Sequence, residues 1–269
     1  MPLRPSARWA AYFARNAGAP RGIPWERGVR WSPAERRAVA ASVQEFQLGE
    51  QSEGNHLRRC AAHHAAATGD ARYTDAVALF IAEEKRHAAE LARLLGLAGV
   101  PLRTATPVDT VFRGLRKLRL RAEGGLENCI RVTVTAEVVA TTYYDALTRA
   151  TACPVTRALC RRILRDEAAH VRFHAERLAR LGEGRGHAAR ATAHAAHRAL
   201  AAVTCGVVWL GPHRRVYQRG GYTFGRFLRE SLRILDARIL DIAHDRPAPQ
   251  ALPPAYAAPD ASTPLRRAA

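Results

Sequence analysis

Aromatic residues make up only 7% of this 269-residue chain, methionine occurs once, and lysine occurs only at 85 and 117. Few aromatics beside abundant Ala, Leu and Arg argue against a β-sandwich and for an all-α fold. No apolar run approaches the length of a membrane span, and the N-terminus lacks the apolar core of a signal peptide. The expectation is a cytoplasmic chain with no membrane span. The five cysteines (Cys60, Cys129, Cys153, Cys160 and Cys205) form no Cys-x-x-Cys pair, and their spacing fits no zinc or disulfide framework. They read as mostly buried thiols in a reducing compartment.

Acid is also scarce: 42 basic residues face 24 acidic ones, a formal charge of +18. Two readings of that excess stand. It is a solvated surface reflecting composition, or the footprint of a polyanion or membrane surface. No RGG tract, zinc finger or aromatic–basic module supports the second, so nucleic acid is the weaker partner.

What is present is a succession of helix signals. The length suits one large domain or two small ones. Residues 1–31 form a Pro/Gly-interrupted arm whose aromatics, Trp9 to Trp31, pack on the main domain. Ser32-Pro33-Ala34-Glu35 reads as an N-cap, a first-turn proline and a capping box. The helix it opens is expected to run to about Thr68. A second spans about 71–98, ended by Gly99 and Pro101. A crossover with a basic piece, Arg113 to Arg121, occupies 99–123. A third helix covers about 126–151, although its Val/Thr-rich centre also suits a strand. The fourth covers about 155–181 and ends at Gly182. Residues 32–181 therefore read as one bundle and 182–245 as an accessory helical pair. A Pro/Ala-rich tail, expected to be disordered, occupies 246–269.

The inner stripes of these helices carry charge where Leu is expected. The fourth reads Leu159, Ile163, Glu167, His170, His174, Leu178, Leu181, in steps of four and three. The second reads Val77, Phe80, Glu84, His87, Leu91, Leu94, Ala98. The first reads Val39, Val43, Phe46, Glu50, Glu53, Leu57, Cys60, His64, and the third Leu126, Ile130, Val134, Glu137, Thr141, Tyr144, Thr148. A buried carboxylate needs a compensating cation or proton. A single Glu-x-x-His is a chance-level match, and this chain holds a third at Glu53 and His56. The repeat is more specific: a lone Glu and then Glu-x-x-His recur at separations of 34 and 30 residues. Each spacing suits an antiparallel hairpin returning to the same level. Four carboxylates balance two divalent ions, whereas without metal they would repel one another and raise their own pKa values.

Over residues 33–181 this pattern resembles the ferritin-like di-iron carboxylate superfamily. Gly49-Glu50 followed by Glu83-Glu84-x-x-His87 is most similar to its rubrerythrin-type and bacterial oxygenase-type members. The chain lacks the Cys-x-x-Cys pairs of a rubredoxin iron, and differs from ferritin in its added helices and basic charge. The resemblance implies an antiparallel four-helix bundle with a long crossover between its second and third helices. It implies Glu50, Glu84, His87, Glu137, Glu167 and His170 as ligands of two iron ions, with manganese or a mixed Mn/Fe pair as alternatives. Glu53 is the rival of Glu50. Glu83 and Asp166 read as acceptors for imidazole N–H groups or as exposed helix charges. Thr141 and Tyr144 read as pocket residues or core packing, and His174 as a pocket residue or a satisfied core histidine. His56, His63, His64, His187, His194 and His197 form no evident ligand set.

The leading expectation is an oxidoreductase, an oxygenase or oxidase, that uses O2 or peroxide on an unidentified small molecule. It would draw on an electron-donor protein, and a homodimer is compatible with the added helices. A ferroxidase or iron-handling protein and a tRNA- or polyanion-associated hydroxylase are the alternatives.

Overall fold

The computed structural model describes residues 3–52, 54–105 and 125–243. The described residues are helical, with no strand among them. The helices are α1 (Ser6–Ala17), α2 (Pro33–Glu50), α3 (Asn55–Thr68), α4 (Ala71–Leu97) and α5 (Gly125–Ala150), then α6 (Pro154–Leu181), α7 (His187–Leu210), α8 (His213–Arg219) and α9 (Phe224–Ala243). The β-branched centre of α5 is helical because that face is buried on both sides of Glu137, so packing overrides propensity.

α2, α4, α6 and α5 contact one another in a closed ring. α1 lies against α4, α3 bridges α4 and α5, and α8 fits between α2 and α5. α9 packs on α5, α6 and α7. The α2 start is as the sequence dictates: Ser32 Oγ accepts from the Glu35 amide at 3.2 Å, and the Glu35 carboxylate accepts from the Ser32 amide at 2.7 Å. The other Glu35 oxygen accepts from the Ala152 amide at 2.6 Å, so the cap also fixes the α5–α6 turn.

The expected helix over 32–68 is broken. α2 stops at Glu50, and α3 starts after Gly54, which has φ +62°. A Cβ at Gly54 would lie 2.6 Å from Ile81 Cδ1. The left-handed backbone and the close approach of α4 both require glycine there. The three-four spacing of Glu50, Glu53 and Leu57 concealed this break, and Glu53 lies outside the described residues. So do most of the crossover, including Arg113 to Arg121, and the tail.

Residues 6–17 are more regular than a Pro/Gly-interrupted arm. Ser6, Trp9, Phe13 and Asn16 make an inward stripe at helical spacing, and Trp9 and Phe13 are buried. α8 was likewise not anticipated. Gly220, which follows it, sits where a Cβ would fall 2.4 Å from the Ala146 carbonyl oxygen.

The apolar core is in two parts. One holds Val39, Val43, Leu91, Leu94, Tyr144, Leu147, Leu159 and Ile163. The other holds Phe13, Val77, Phe80, Ile130, Val134, Phe173 and Leu178. Along α4, α5 and α6 the chain leaves one part and enters the other across Glu84–His87, Glu137 and Glu167–His170. Each fully buried aliphatic or Phe side chain in these layers contributes about 1.5–3 kcal/mol. They hold a polar layer that would not be stable alone.

Candidate metal centre

The polar layer gathers the six expected ligands. One oxygen or nitrogen each from Glu84, Glu137, Glu167 and His170 lies within 4.8 Å of the others, and the same holds for Glu50, Glu84 and His87. Glu84 belongs to both groups, so it stands between two adjacent positions. His170 Nδ1 is 3.1 Å from Glu84 Oε1, 3.4 Å from Glu167 Oε2 and 3.6 Å from Glu137 Oε2. His87 Nδ1 is 3.6 Å from Glu84 Oε1 and 3.7 Å from Glu167 Oε1. Glu167, His87 and His170 are fully shielded from solvent.

Both imidazoles are oriented through their other nitrogen. His87 Nε2 donates to Asp166 Oδ2 at 3.1 Å, and His170 Nε2 donates to Glu83 Oε2 at 3.4 Å. The pairing is crosswise: the acid beside Glu167 on α6 holds the histidine of α4, and the acid beside Glu84 on α4 holds the histidine of α6. Asp166 and Glu83 are buried rather than exposed helix charges. Burial would raise the Asp166 carboxyl, but bonds from His87, Asn16 and Arg21 outweigh it and hold it well below the ordinary range. Glu83 is likewise lowered against burial, chiefly by His170.

Sequence reasoning missed the layer behind these two acids. Asn16 of α1 donates to Asp166 Oδ1 at 2.9 Å and to Glu83. Arg21 Nη1 donates to Asp166 Oδ2 at 2.8 Å, Arg162 Nη2 lies 3.3 Å from Asp166 Oδ1, and Arg86 pairs with Glu83. The signal was present in the Ser6–Trp9–Phe13–Asn16 spacing. The first of these residues bonds Asp70, and Trp9 Nε1 donates to Glu176 at 2.9 Å, anchoring the helix.

With Nε2 protonated in both histidines, each Nδ1 presents a lone pair to the carboxylates. His87 Nδ1, His170 Nδ1, Glu84 Oε1 and both Glu167 oxygens are buried with no hydrogen-bond partner. Acceptors facing acceptors in a dry layer leave a cost of about 1–3 kcal/mol for each unsatisfied group. Protons offset part of that cost, although Glu137 itself is lowered against burial by Glu167 and His170. Burial and the neighbouring Glu137 push the Glu167 carboxyl well up. Burial, with Glu84 and Glu137, does the same to Glu50. His170 is raised despite burial because Glu84, Glu137 and Glu167 surround it. Two imidazoles and four carboxylates, with orphaned atoms on both histidines, Glu84 and Glu167, fit a pair of divalent ions.

The remaining candidates divide. Tyr144 Oη donates to Glu50 Oε1 at 2.8 Å, so it touches a ligand rather than merely packing. Thr141 Oγ1 donates to the Glu137 carbonyl of its own helix at 2.8 Å and does not line the adjoining cavity. His174 is neither a satisfied core histidine nor a cavity residue. Both ring nitrogens lack a hydrogen-bond partner, Phe80 and Phe173 flank it, and burial lowers its pKa to about 4. His63 and His187 are exposed, His194 pairs with Asp236, and His197 bonds Thr135. His64 lies 3.0 Å from Arg177 Nη1. His56 lies apart from the other histidines: its ring and the thiols of Cys60 and Cys129 form a third group within 4.8 Å.

A cavity of about 280 Å³ reaches the layer from one side. Glu50, Glu84 and Glu137 stand in its wall, with Leu57, Phe80, Ile81, Val132 and Ala136 supplying apolar surface. Asn55, Asn128 and Thr133 add polar groups. No described helix is long and apolar enough to cross a membrane. No protein-family model matches the chain, and no curated protein and no solved structure is significantly similar to it.

Proposed function

We propose that this chain is a di-iron carboxylate oxidoreductase of the ferritin-like type, acting on a small organic substrate with O2 or peroxide. The observation that carries the reading is the sharing of Glu84 between two converging ligand groups, each with one histidine. On this reading α2, α4, α5 and α6 form the ferritin-like bundle. Glu50, Glu84 and His87 would hold one ion, and Glu84, Glu137, Glu167 and His170 would hold the other. Two iron ions, or manganese in their place, would supply the reduction of O2 or peroxide and the oxidising power for the substrate.

The protein's own part is positioning and exclusion of water. Asp166 and Glu83 fix both imidazole tautomers, so each Nδ1 lone pair faces inward. Tyr144 holds Glu50 by one oxygen and leaves the other for the centre. The cavity beside Glu50, Glu84 and Glu137 suits a compact molecule with an apolar body, oriented by Asn55 or Asn128. A partly apolar cavity of that size beside the carboxylates favours substrate oxidation over iron storage.

Reconstitution of the full chain with ferrous ion under anaerobic conditions tests the ligand set. Two ions per chain are expected by metal analysis, followed by O2 consumption on admission of air. Glu84→Ala is expected to lose both ions. Unchanged two-ion loading in Glu84→Ala and Glu167→Ala would overturn the assignment. A large shell by light scattering would turn the reading towards iron storage.

A further inference from the structure

The cysteines carry no metal spacing in the sequence, yet the fold assembles one. His56 and Cys60 lie one turn apart on α3, with Nε2 and Sγ 3.4 Å from each other. Cys129 comes from the N-terminal end of α5, which packs against α3. The three donor atoms lie mutually within 4.8 Å, and none of the cysteines is in a disulfide. Tetrahedral zinc with bonds of about 2.3 Å to sulfur and about 2.0 Å to nitrogen has ligand–ligand edges of roughly 3.5–3.8 Å. The His56–Cys60 edge, at 3.4 Å, is about 0.1 Å short of that range, and the third donor lies within 4.8 Å of both.

We propose that His56, Cys60 and Cys129 form a separate mononuclear site for a thiophilic divalent ion of the zinc class, with its fourth position open to the cavity. His56 and Cys129 line the same 280 Å³ cavity as Glu50, Glu84 and Glu137. Three protein ligands and one open position is the pattern of exchangeable or reactive zinc sites, whereas structural sites are closed by four. The two centres share no residue, so this site does not depend on the di-iron reading. Their donors also sort the ions. Two thiolates neutralise a softer dication, while the carboxylate-rich layer favours harder ones. Both thiol protons leave on binding. A group coordinated at the open position would face the carboxylate layer across the cavity, which gives this ion a place in holding substrate.

Cobalt(II) is the probe, because cobalt thiolates absorb in the near ultraviolet and zinc does not. The full chain, stripped of metal under reducing conditions, is titrated with Co2+. A thiolate band with the amplitude of one bound cobalt per chain is expected, bleached by added Zn2+. It persists in Glu84→Ala and Glu167→Ala, which separates this site from the di-iron layer. It is lost in the Cys60→Ser/Cys129→Ser double variant, and His56→Ala weakens Co2+ binding at least about tenfold. Absence of the band in the parent chain, or an unchanged band in the double cysteine variant, overturns the proposal. Alkylation of the unmutated chain, mapped by mass spectrometry, is independent of any folding defect. Zn2+ protects Cys60 and Cys129 if the site exists, and equal labelling with and without Zn2+ overturns it.

Discussion

Asp166 on α6 accepts from His87 on α4 at 3.1 Å, while its neighbour Glu167 faces the same histidine's other nitrogen at 3.7 Å. Consecutive carboxylates thus grip one imidazole from two sides, one through its proton and one across the space for an ion. Asp166→Asn is expected to weaken binding at the Glu50–Glu84–His87 position by about 10–100-fold. Glu83→Gln is expected to do the same at the position of His170. Competitive metal titration resolves the two. Equal loss at both positions in either variant would mean that the acids merely hold the helices.

Glu167→Gln separates stability from function. The Glu167 carboxyl is pushed up by burial and by Glu137. A raised folded-state pKa means that the metal-free folded chain binds the proton more tightly than the unfolded one. Metal-free stability therefore falls as pH rises from the ordinary glutamate value of about 4.3 towards the raised value. The variant removes that loss. Its metal-free melting temperature near neutral pH is expected to rise by about 2–4 °C for each kcal/mol relieved. Its ion loading drops at the same time. A lower melting temperature in the metal-free variant would contradict the repulsion inferred here.

His213 supplies a pH dependence away from the carboxylate–histidine layer. It is buried between α2 and α5, with Nδ1 2.9 Å from Ser42 Oγ and Nε2 3.6 Å from Glu45. Burial lowers its pKa to about 4. The unfolded chain takes up the proton first, near the ordinary value of about 6.5. Its contribution is complete above that pH and is lost as pH falls through about 4. Urea unfolding across this window is expected to show a loss on the order of 2–3 kcal/mol that flattens in His213→Asn. An unchanged slope in the variant would assign the dependence elsewhere.

Gly54→Ala tests the α2–α3 break. The new Cβ meets Ile81 at 2.6 Å on a backbone at φ +62°. A destabilisation of about 1–3 kcal/mol is expected from the backbone conformation alone. Because His56 follows in the same turn of α3, the cobalt–thiolate band is expected to weaken as well. Wild-type denaturant midpoints in this variant would show that the loop relaxes freely.

Much of the buried carboxylate–histidine layer was legible because helical periodicity and burial are local consequences of sequence. Glu84–His87 and Glu167–His170 stand out because they interrupt apolar stripes, and the Ser32–Glu35 cap marks where α2 begins. The break at residues 51–54 was not legible, because its cause lies on another helix. Gly54 is required by the approach of Ile81. Asn16 was overlooked for a different reason: prolines and glycines at the ends of the arm masked a short, regular stripe between them.

The sequence by itself determined which faces are buried, and placed paired carboxylates and histidines at core positions that only cations or protons make tolerable. Only the tertiary structure decided which groups meet. The crosswise pairing of Asp166 with His87 and Glu83 with His170 depends on the offset between α4 and α6, which no spacing along either helix encodes. The meeting of Cys129 with His56 and Cys60 depends on α3 lying over α5. Periodicity fixes a residue's direction on its own helix, and packing between helices fixes its neighbours.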